Sequence, residues 1–236
     1  MIEIRAYDAS WLSLFAAEAA LVKKALGANC LEVHHIGSTA VPGLAAKPVI
    51  DMIPVVEDIT AVTDAPLEKL GYQAKGEYGI WFRRYFTKPG FHVHIFEEGD
   101  PEIRRHLNFR DFLRTHDAER DRYAALKKEL AETSLDLFTY TLGKERFIAA
   151  IDRAAGSNFY RIVEALTQRE WEAVVSFGGV KSVDPNDTHA VLYKGSDIVG
   201  YAFIRNGRLH FIAAVDTLDE VFLLKAVERK GLHKLL

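Results

Sequence analysis

Hydrophobic and polar residues recur along the chain with two periods, and each period predicts one kind of element. Apolar residues return at helical spacing over residues 8–26, 58–70, 100–117, 118–134 and 138–156, so each of these segments is a predicted helix. Half-alternating, β-branched runs over residues 30–37 and 48–56 are predicted strands, and two more strands joined at "KPG" are predicted within residues 72–98. This order predicts an α+β fold with a mixed sheet.

A glycine-serine pair at Gly156 and Ser157 interrupts the helical pattern and predicts a domain boundary, giving domains 1–156 and 157–236. Beyond it, residues 158–177 are predicted to be helical. Residues 189–215 are predicted to form three antiparallel strands with turns at "KGSD" and "RNGR", followed by a helix from about residue 219 to about residue 230.

Composition narrows the class of protein. The 236 residues carry a formal net charge of -3, so no overall basic field favours nucleic acid. No apolar run approaches the roughly 18 residues that a membrane span requires. The single Cys30 excludes an internal disulfide, and the lack of a signal-peptide pattern predicts a cytoplasmic protein. The sequence is compatible with a homodimer and does not determine the oligomeric state.

The stretch "HIGSTAVPGLAAKPVID" suggests a phosphate site. Gly37 follows a predicted strand, which allows backbone N–H groups to approach a phosphate, and Ser38 and Thr39 add hydroxyl donors. Asp51 lies within the next apolar run, where an ionised carboxylate needs a partner or a metal. A simple turn between two strands is the alternative.

The strand "FHVHIFEE" carries two imidazoles on one face. Alternation places His92 and His94 on the same side, two residues apart, which is compatible with metal binding. Histidines that are only hydrogen-bonded or solvent-facing are the alternative.

At these residues the chain resembles the GrpB-like proteins. The resemblance covers about residues 2–152 and rests on the stretch above together with "RRYF", "HVHIFEEGDPEIRRHLNFRDFLR", "RYAALKKELA" and "GKERFIAAI". Those proteins are similar in turn to the nucleotidyltransferase superfamily, which places a Gly-Ser after one strand and an acid pair on the next. The resemblance implies a nucleotidyltransferase-like fold, nucleotide phosphates at Gly37 and Ser38, and a divalent cation at Asp51.

The chain departs from that superfamily at the other acids. Ile53 stands at the second acid position, and the strand expected to supply a third acid carries His92 and His94. Asp51 and His94 are the candidate metal ligands, and Asp51, His92 and His94 are the candidate catalytic residues. Mg²⁺ or Mn²⁺ is the expected cation, and the imidazoles keep Zn²⁺ open.

Basic residues supply candidate contacts to a triphosphate. Arginine makes bidentate phosphate contacts, and lysine supplies a point charge. A solvated basic face is the alternative for all of them. Arg104, Arg110 and Lys144 match recurring positions of the resembled pattern, and the full candidate set is Lys47, Arg84, Arg104, Arg110 and Lys144.

Residues 157–236 resemble the central strands and third helix of GNAT acetyltransferases, as a truncated or degenerate partial α/β domain. The junction before the last helix reads "DTLDE", where that family has a glycine-containing loop for the acetyl-CoA pyrophosphate. Acidic side chains at a helix N-terminus stabilise the helix and repel a pyrophosphate. This part is therefore interpreted as structural, regulatory or substrate-binding.

Three hypotheses of function follow. The first is a metal-dependent nucleotidyltransferase-like protein that binds an NTP and transfers a nucleotidyl group to a small-molecule acceptor. The second is a non-catalytic module that binds a nucleotide or another metabolite. The third, least supported, is an N-acetyltransferase with a regulatory nucleotide-binding domain.

Overall fold

The computed structural model describes residues 2–181, 184 and 186–234. It divides into two compact units. The first comprises Met1–Tyr78 and Phe82–Ser157, and the second comprises Gly79–Trp81 and Asn158–Leu236. The sequence pattern did not predict that the short segment Gly79–Trp81 belongs to the second unit. None of the described helices is both long and apolar enough to cross a membrane.

The first unit is built on a mixed sheet of five strands. Its spatial order is β1-β2-β5-β4-β3, in which β2 and β5 are parallel and the other pairs are antiparallel. The four longer strands were all predicted from the sequence. The strands are β1 (Cys30–Ile36), β2 (Ile50–Val56), β3 (Gln73–Ala74), β4 (Arg84–Lys88) and β5 (Phe91–Glu97).

Six helices accompany this sheet. Gly27 ends the first helix with a φ of 63°, as predicted. Asp100 caps the third helix by accepting a hydrogen bond from the backbone of Glu102, and Pro101 occupies its first turn. The helices are α1 (Ser10–Leu26), α2 (Ala65–Glu68), α3 (Pro101–Thr115), α4 (Asp117–Thr133), α5 (Leu137–Gly143) and α6 (Glu145–Ala154).

The two faces of the sheet differ in chemistry. One face carries Met52, Phe86 and Val93, which pack in a buried cluster with Trp11 and Val22 of α1. Side chains alternate along β2 and β5, so Asp51, His92 and His94 lie on the opposite face. Helix α3 packs on that second face, and its imidazole at His106 lies 6.2 Å from the ring of His94.

The prediction of a helix over residues 58–70 was largely wrong. The segment contains a 3₁₀ turn, Ile59–Ala61, and only four residues of α-helix in α2. Asp58 accepts a hydrogen bond from the backbone of Thr60, which stabilises the turn. Pro66 lies in the first turn of α2, which begins at Ala65, and its missing N–H costs no intrahelical hydrogen bond there.

The second unit contains a five-stranded sheet with the order β10-β9-β8-β7-β6. The three antiparallel strands and the final helix predicted from the sequence are confirmed. Strand β10 is parallel to β9, and the remaining pairs are antiparallel. The elements are β6 (Tyr160–Glu164), α7 (Gln168–Ser176), β7 (Asp187–Lys194), β8 (Asp197–Arg205), β9 (Arg208–Ala214), α8 (Thr217–Arg229) and β10 (His233–Lys234).

Residues 158–177 are not one helix, contrary to the prediction. The run from Tyr160 to Glu164 pairs with β7 as a strand, and α7 begins only at Gln168. Thr167 and Glu170 form a capping box, in which each side chain bonds the backbone of the other. This cap fixes the start of the helix and leaves the aromatic and β-branched residues before it to the sheet.

Candidate functional site

The Gly37 loop and Asp51 meet because β1 and β2 are antiparallel neighbours. Ile36, the last residue of β1, pairs with Asp51, so the next residue, Gly37, lies against the carboxylate. A Cβ atom at Gly37 would be 2.6 Å from Oδ2 of Asp51, and the φ of Gly37 is 70°. Both observations require glycine here. A 3₁₀ turn, Ser38–Ala40, follows at once.

Asp51 is also the centre of a cluster with two histidines. Nδ1 of His92 lies 3.1 Å from Oδ1 of Asp51, and Nε2 of His94 lies 3.5 Å from the same oxygen. The register explains this arrangement, because Asp51 pairs directly with His92 across the parallel strands β2 and β5. One ligand atom from each of the three residues lies within 4.8 Å of the others.

Asp51 is held in its ionised form. Burial favours the neutral acid, but hydrogen bonds from His92 and His94 outweigh it, so the pKa of Asp51 lies well below its usual range. Its side chain retains 28% exposure. The carboxylate is therefore a negative charge, accessible from one side, beside a glycine loop.

Three buried or half-buried lysines surround this carboxylate. Burial, reinforced by Lys144, lowers the pKa of Lys127 to about 7. Burial also lowers the pKa of Lys144 to about 8, with Asp51 opposing and Lys47 reinforcing the shift. Burial lowers the pKa of Lys47, and Asp51 again opposes it. Lys47 and Lys144 thus interact electrostatically with Asp51, and Lys127 is linked to them through Lys144.

The three ammonium groups have no carboxylate partner among the residues that the structure describes. Lys127 is only 2% exposed and donates hydrogen bonds to the hydroxyl of Ser38 at 2.9 Å and to the carbonyl of Ala45. Elsewhere in the same unit a buried lysine is paired, since Nζ of Lys88 lies 2.6 Å from Glu18. Unpaired buried charges are costly in a folded protein, so the lysine cluster is suited to an anion.

The other basic residues singled out from the sequence are placed elsewhere. Arg84 pairs with Asp64 and lies on the sheet face opposite Asp51. Arg110 donates to the backbone carbonyl of His35 at 2.9 Å and to its neighbour Asp111, and so ties α3 to β1. Arg104 is exposed on α3. The structure brings Lys47 and Lys144 to Asp51, and not Arg84.

Thr39 is interior. Its hydroxyl donates to the carbonyl of Val49 at 3.2 Å and contacts Nε2 of His35 at 3.0 Å. With 1% exposure it fixes the path between β1 and β2, and its side chain is not accessible to a phosphate, contrary to the expectation from the sequence.

Lys127 and Arg83 are site residues that the sequence interpretation missed. Lys127 lies on α4, and Arg83 immediately precedes β4 and bonds Nδ1 of His94 at 3.1 Å. Each lies inside a stretch that carries the family resemblance, "RYAALKKELA" and "RRYF". The family resemblance of these stretches was the one feature of the sequence that pointed to the two residues. The spacing of residues along a helix or strand does not reveal a contact with a distant loop.

In the second unit, the N-terminus of α8 is closed by acids. The side chain of Asp216 accepts a hydrogen bond from the backbone N–H of Asp219, and Asp219 is 1% exposed. Asp219 in turn accepts a hydrogen bond from the hydroxyl of Tyr160 at 2.6 Å. These carboxylates already satisfy the helix end and oppose a pyrophosphate there.

The fold and this geometry define an α+β protein with a carboxylate, two imidazoles and three lysines gathered on one face of a mixed sheet. The chain belongs to the GrpB family, because the family profile described as "GrpB protein" matches residues 1–154. The resemblance seen in the sequence is thereby confirmed at the level of the family.

Known relatives agree with this membership. The chain is 43% identical over 161 residues to the UPF0157 protein YqkA of Bacillus subtilis, a match that covers 65% of this chain and 47% of that relative. It is 29% identical to the glutamate-rich protein GrpB of Alkalihalophilus pseudofirmus, over 61% of this chain and 90% of the relative. The chain thus spans about half the length of the Bacillus subtilis protein.

A solved structure supports the fold of the matched part. The crystal structure of conserved protein GrpB from Enterococcus faecalis is 41% identical, with a TM-score of 0.62. The match covers 65% of this chain and 96% of that one. The names of these relatives denote a family and describe no reaction.

Proposed function

We propose that the first unit binds a nucleoside triphosphate together with a divalent cation and transfers a nucleotidyl group to a small-molecule acceptor. The observation that carries the proposal is the lysine cluster of Lys47, Lys127 and Lys144, which has no carboxylate at ion-pair distance among the described residues and lies beside the Gly37 loop. Lys127, with a pKa of about 7, is partly charged at neutral pH, and the positive charge of the three lysines together exceeds the single negative charge of Asp51. This excess favours a multiply charged anion such as a triphosphate, which in turn favours the charged form of Lys127.

The donor set around Asp51 fits a divalent cation. A carboxylate oxygen and imidazole nitrogens bind divalent metals at about 2.0–2.2 Å. The observed separation of 3.1 Å between Oδ1 of Asp51 and Nδ1 of His92 is the edge expected around one ion, whereas the 3.5 Å from Nε2 of His94 to the same oxygen fits either such an edge or an N–H directed at Asp51. Asp51 would hold the ion, with His92 and His94 within reach. When bound, the cation supplies charge neutralisation to the phosphate oxygens.

Residues of this chain would position the phosphates and accept the proton of the acceptor. Lys127 holds the hydroxyl of Ser38 in place, and the close contact between Gly37 and Asp51 brings backbone near the phosphates. Where Nδ1 of His92 keeps its proton and donates it to Asp51 instead of binding the ion, Nε2 of His92 is the proton acceptor for the attacking hydroxyl or amine. Positioning and charge neutralisation carry most of the acceleration in phosphoryl transfer.

One observation favours the second candidate function, a non-catalytic nucleotide- or metabolite-binding module. Ile53, at the position of the superfamily's second acid, is fully buried in the sheet, so this position adds no carboxylate beside Asp51. A two-metal transfer site requires carboxylates that bridge two cations about 3.5–4 Å apart. A single carboxylate supports binding of one cation and is compatible with loss of turnover.

Two measurements separate the candidates. A thermal-shift panel of ATP, GTP, CTP and UTP, each with Mg²⁺, Mn²⁺ or Zn²⁺, tests binding, because a ligand of the folded state raises its melting temperature. Release of pyrophosphate in the presence of a mixture of small hydroxyl and amine acceptors then tests transfer. Stabilisation with pyrophosphate release supports the transferase, and stabilisation alone supports the binding module. Absence of any nucleotide-dependent shift contradicts the transferase and leaves a module that binds another metabolite.

A further inference from the structure

Arg83 makes an unusual contact with the site, because it points a donor at a histidine nitrogen. Its guanidinium is 6% exposed and bonded on three sides. Nε donates to the carbonyl of Glu77 at 3.1 Å, Nη2 donates to the carbonyl of Tyr78 at 2.8 Å, and Nη1 lies 3.1 Å from Nδ1 of His94. The two backbone carbonyls fix the orientation of the fork.

The chemistry of arginine decides the tautomer of His94. A guanidinium has only donors, so Nδ1 of His94 must be the acceptor in this contact. A neutral imidazole has one N–H, and in His94 that proton is therefore on Nε2. Nε2 is the atom that faces Oδ1 of Asp51, at 3.5 Å. The ring thus receives a hydrogen bond from Arg83 on one side and directs an N–H at Asp51 on the other.

We propose that His94 serves as an N–H donor that orients Asp51 and not as a metal ligand, and that Arg83 is the positioning residue that fixes this tautomer. A metal on Nε2 would move the imidazole proton to Nδ1, where it would face the N–H of Arg83. Histidines that bind metals donate their second N–H to a carboxylate, a carbonyl or water, and Arg83 offers none of these.

The surroundings of the ring support one fixed orientation. Tyr85 packs against His94 with ring centroids 4.7 Å apart, and His106 lies 6.2 Å away. A flipped ring would exchange both nitrogens for carbons and would lose the contacts with Arg83 and Asp51 together. A protonated ring would place a second N–H on Nδ1, facing the N–H donor of Arg83, so the contact itself favours the neutral form.

This assignment has a consequence for the cation, which rests on the proposed function. Without His94, Asp51 is left with at most His92 as a further protein ligand, and phosphate and water oxygens complete the coordination. Such an oxygen-rich set suits Mg²⁺ or Mn²⁺, whereas Zn²⁺ prefers several nitrogen or sulfur ligands from the protein. The site is therefore assigned to the Mg²⁺ and Mn²⁺ class.

The direct test is long-range ¹H–¹⁵N NMR of the histidine side chains in the native protein without any ligand. His94 is expected to show a proton on Nε2 and an acceptor Nδ1. Arg83→Met is expected to lose this preference, and Arg84→Met, which changes the neighbouring arginine on the other sheet face, is expected to keep it. A proton on Nδ1 of native His94 overturns the proposal, whether or not the variants fold.

A second experiment titrates Mn²⁺ alone into the protein. Binding is measured by the loss of the EPR signal of free Mn²⁺. His94→Gln keeps an amide N–H that can orient Asp51 and removes no metal ligand under this assignment, so it is expected to bind Mn²⁺ within about threefold of the native protein. A loss as large as that of Asp51→Asn overturns the proposal. If native protein binds no Mn²⁺, the proposed function fails, and the NMR result still decides the role of His94.

Discussion

At the scale of a single residue, two separate features of position 37 favour glycine. Its φ of 70° favours glycine, and its Cα lies so close to Asp51 that a Cβ would be 2.6 Å from Oδ2. Gly27 shares only the first feature, because its φ is 63° and nothing lies within 4 Å of an added Cβ. The pair therefore separates backbone conformation from the contact with the carboxylate.

We expect Gly27→Ala to lower the free energy of unfolding by about 1–3 kcal/mol, because its φ of 63° and ψ of -144° lie in a region populated essentially by glycine. Gly37→Ala has a similar backbone conformation and is expected to cost at least about 1 kcal/mol more, because the new methyl group must also displace Asp51. Urea unfolding of both variants measures the difference. Equal losses in the two variants would contradict the close contact between Gly37 and Asp51.

Helix α4 shows how a single element presents two different lysines. Lys127 is buried and bonded to Ser38, whereas its neighbour Lys128 is exposed to solvent. Successive residues on a helix are about 100° apart, so one points at the site and the other away from it. The two are a matched pair for testing whether the buried charge binds a phosphate.

We expect Lys127→Met to weaken binding of ATP with Mn²⁺ by about tenfold or more, since a charge-assisted hydrogen bond to phosphate contributes about 1.5–3 kcal/mol. Lys128→Met is expected to bind within about twofold of the native protein. Isothermal titration calorimetry at pH 6.5, below the pKa of about 7 of Lys127, measures both affinities with this lysine mainly charged. An unchanged affinity in Lys127→Met would remove this lysine from the site, and thermal unfolding checks that the variant is folded.

Elements that carry their own start and stop signals could be predicted from the sequence. Gly27 and the pair Asp100 and Pro101 were sufficient to bound α1 and α3. The segment from Tyr160 to Glu164 could not be predicted in this way. Its apolar residues also fit a helix, and only pairing with β7 makes it a strand. Local pattern cannot report a partner that lies 30 residues away in the sequence.

The candidate site shows the same limit. Gly37, Asp51 and His92 could be selected because each has an unusual residue type for its strand or loop. Lys127 and Arg83 could not be selected by type, since lysine and arginine are common on surfaces and their burial comes from tertiary packing. The electrostatic part of the site is therefore a property of the fold.

At the scale of the whole molecule, buried histidines link stability to pH. Burial lowers the pKa of His35 to about 4, with Asp51 opposing the shift, and lowers that of His106 to about 4, with Glu102 opposing it. An unfolded histidine has a pKa of about 6.5, so between these values the unfolded chain binds more protons than the folded one. These contributions are complete above pH 6.5 and are lost as the pH falls toward 4.

We expect the free energy of unfolding to fall by about 1.2 kcal/mol per pH unit for each of these histidines near pH 5. His106→Gln keeps a donor for the carbonyl of Glu102, which Nδ1 of His106 contacts at 2.8 Å, and cannot titrate. Urea unfolding at pH 7.5, 6.0 and 5.0 is expected to give a shallower slope for this variant. An identical slope in native protein and variant would contradict a neutral buried His106.

The central claim is that Asp51 and the lysine cluster form one site for a nucleotide polyphosphate and a cation. The most direct measurement is isothermal titration of ATP with Mn²⁺ into the native protein and into Asp51→Asn, each repeated without the metal. The account predicts metal-dependent binding to the native protein and a loss of the metal-dependent part in Asp51→Asn, with residual binding through the lysines. Equal, metal-independent binding by both proteins, or no binding by either, would contradict it.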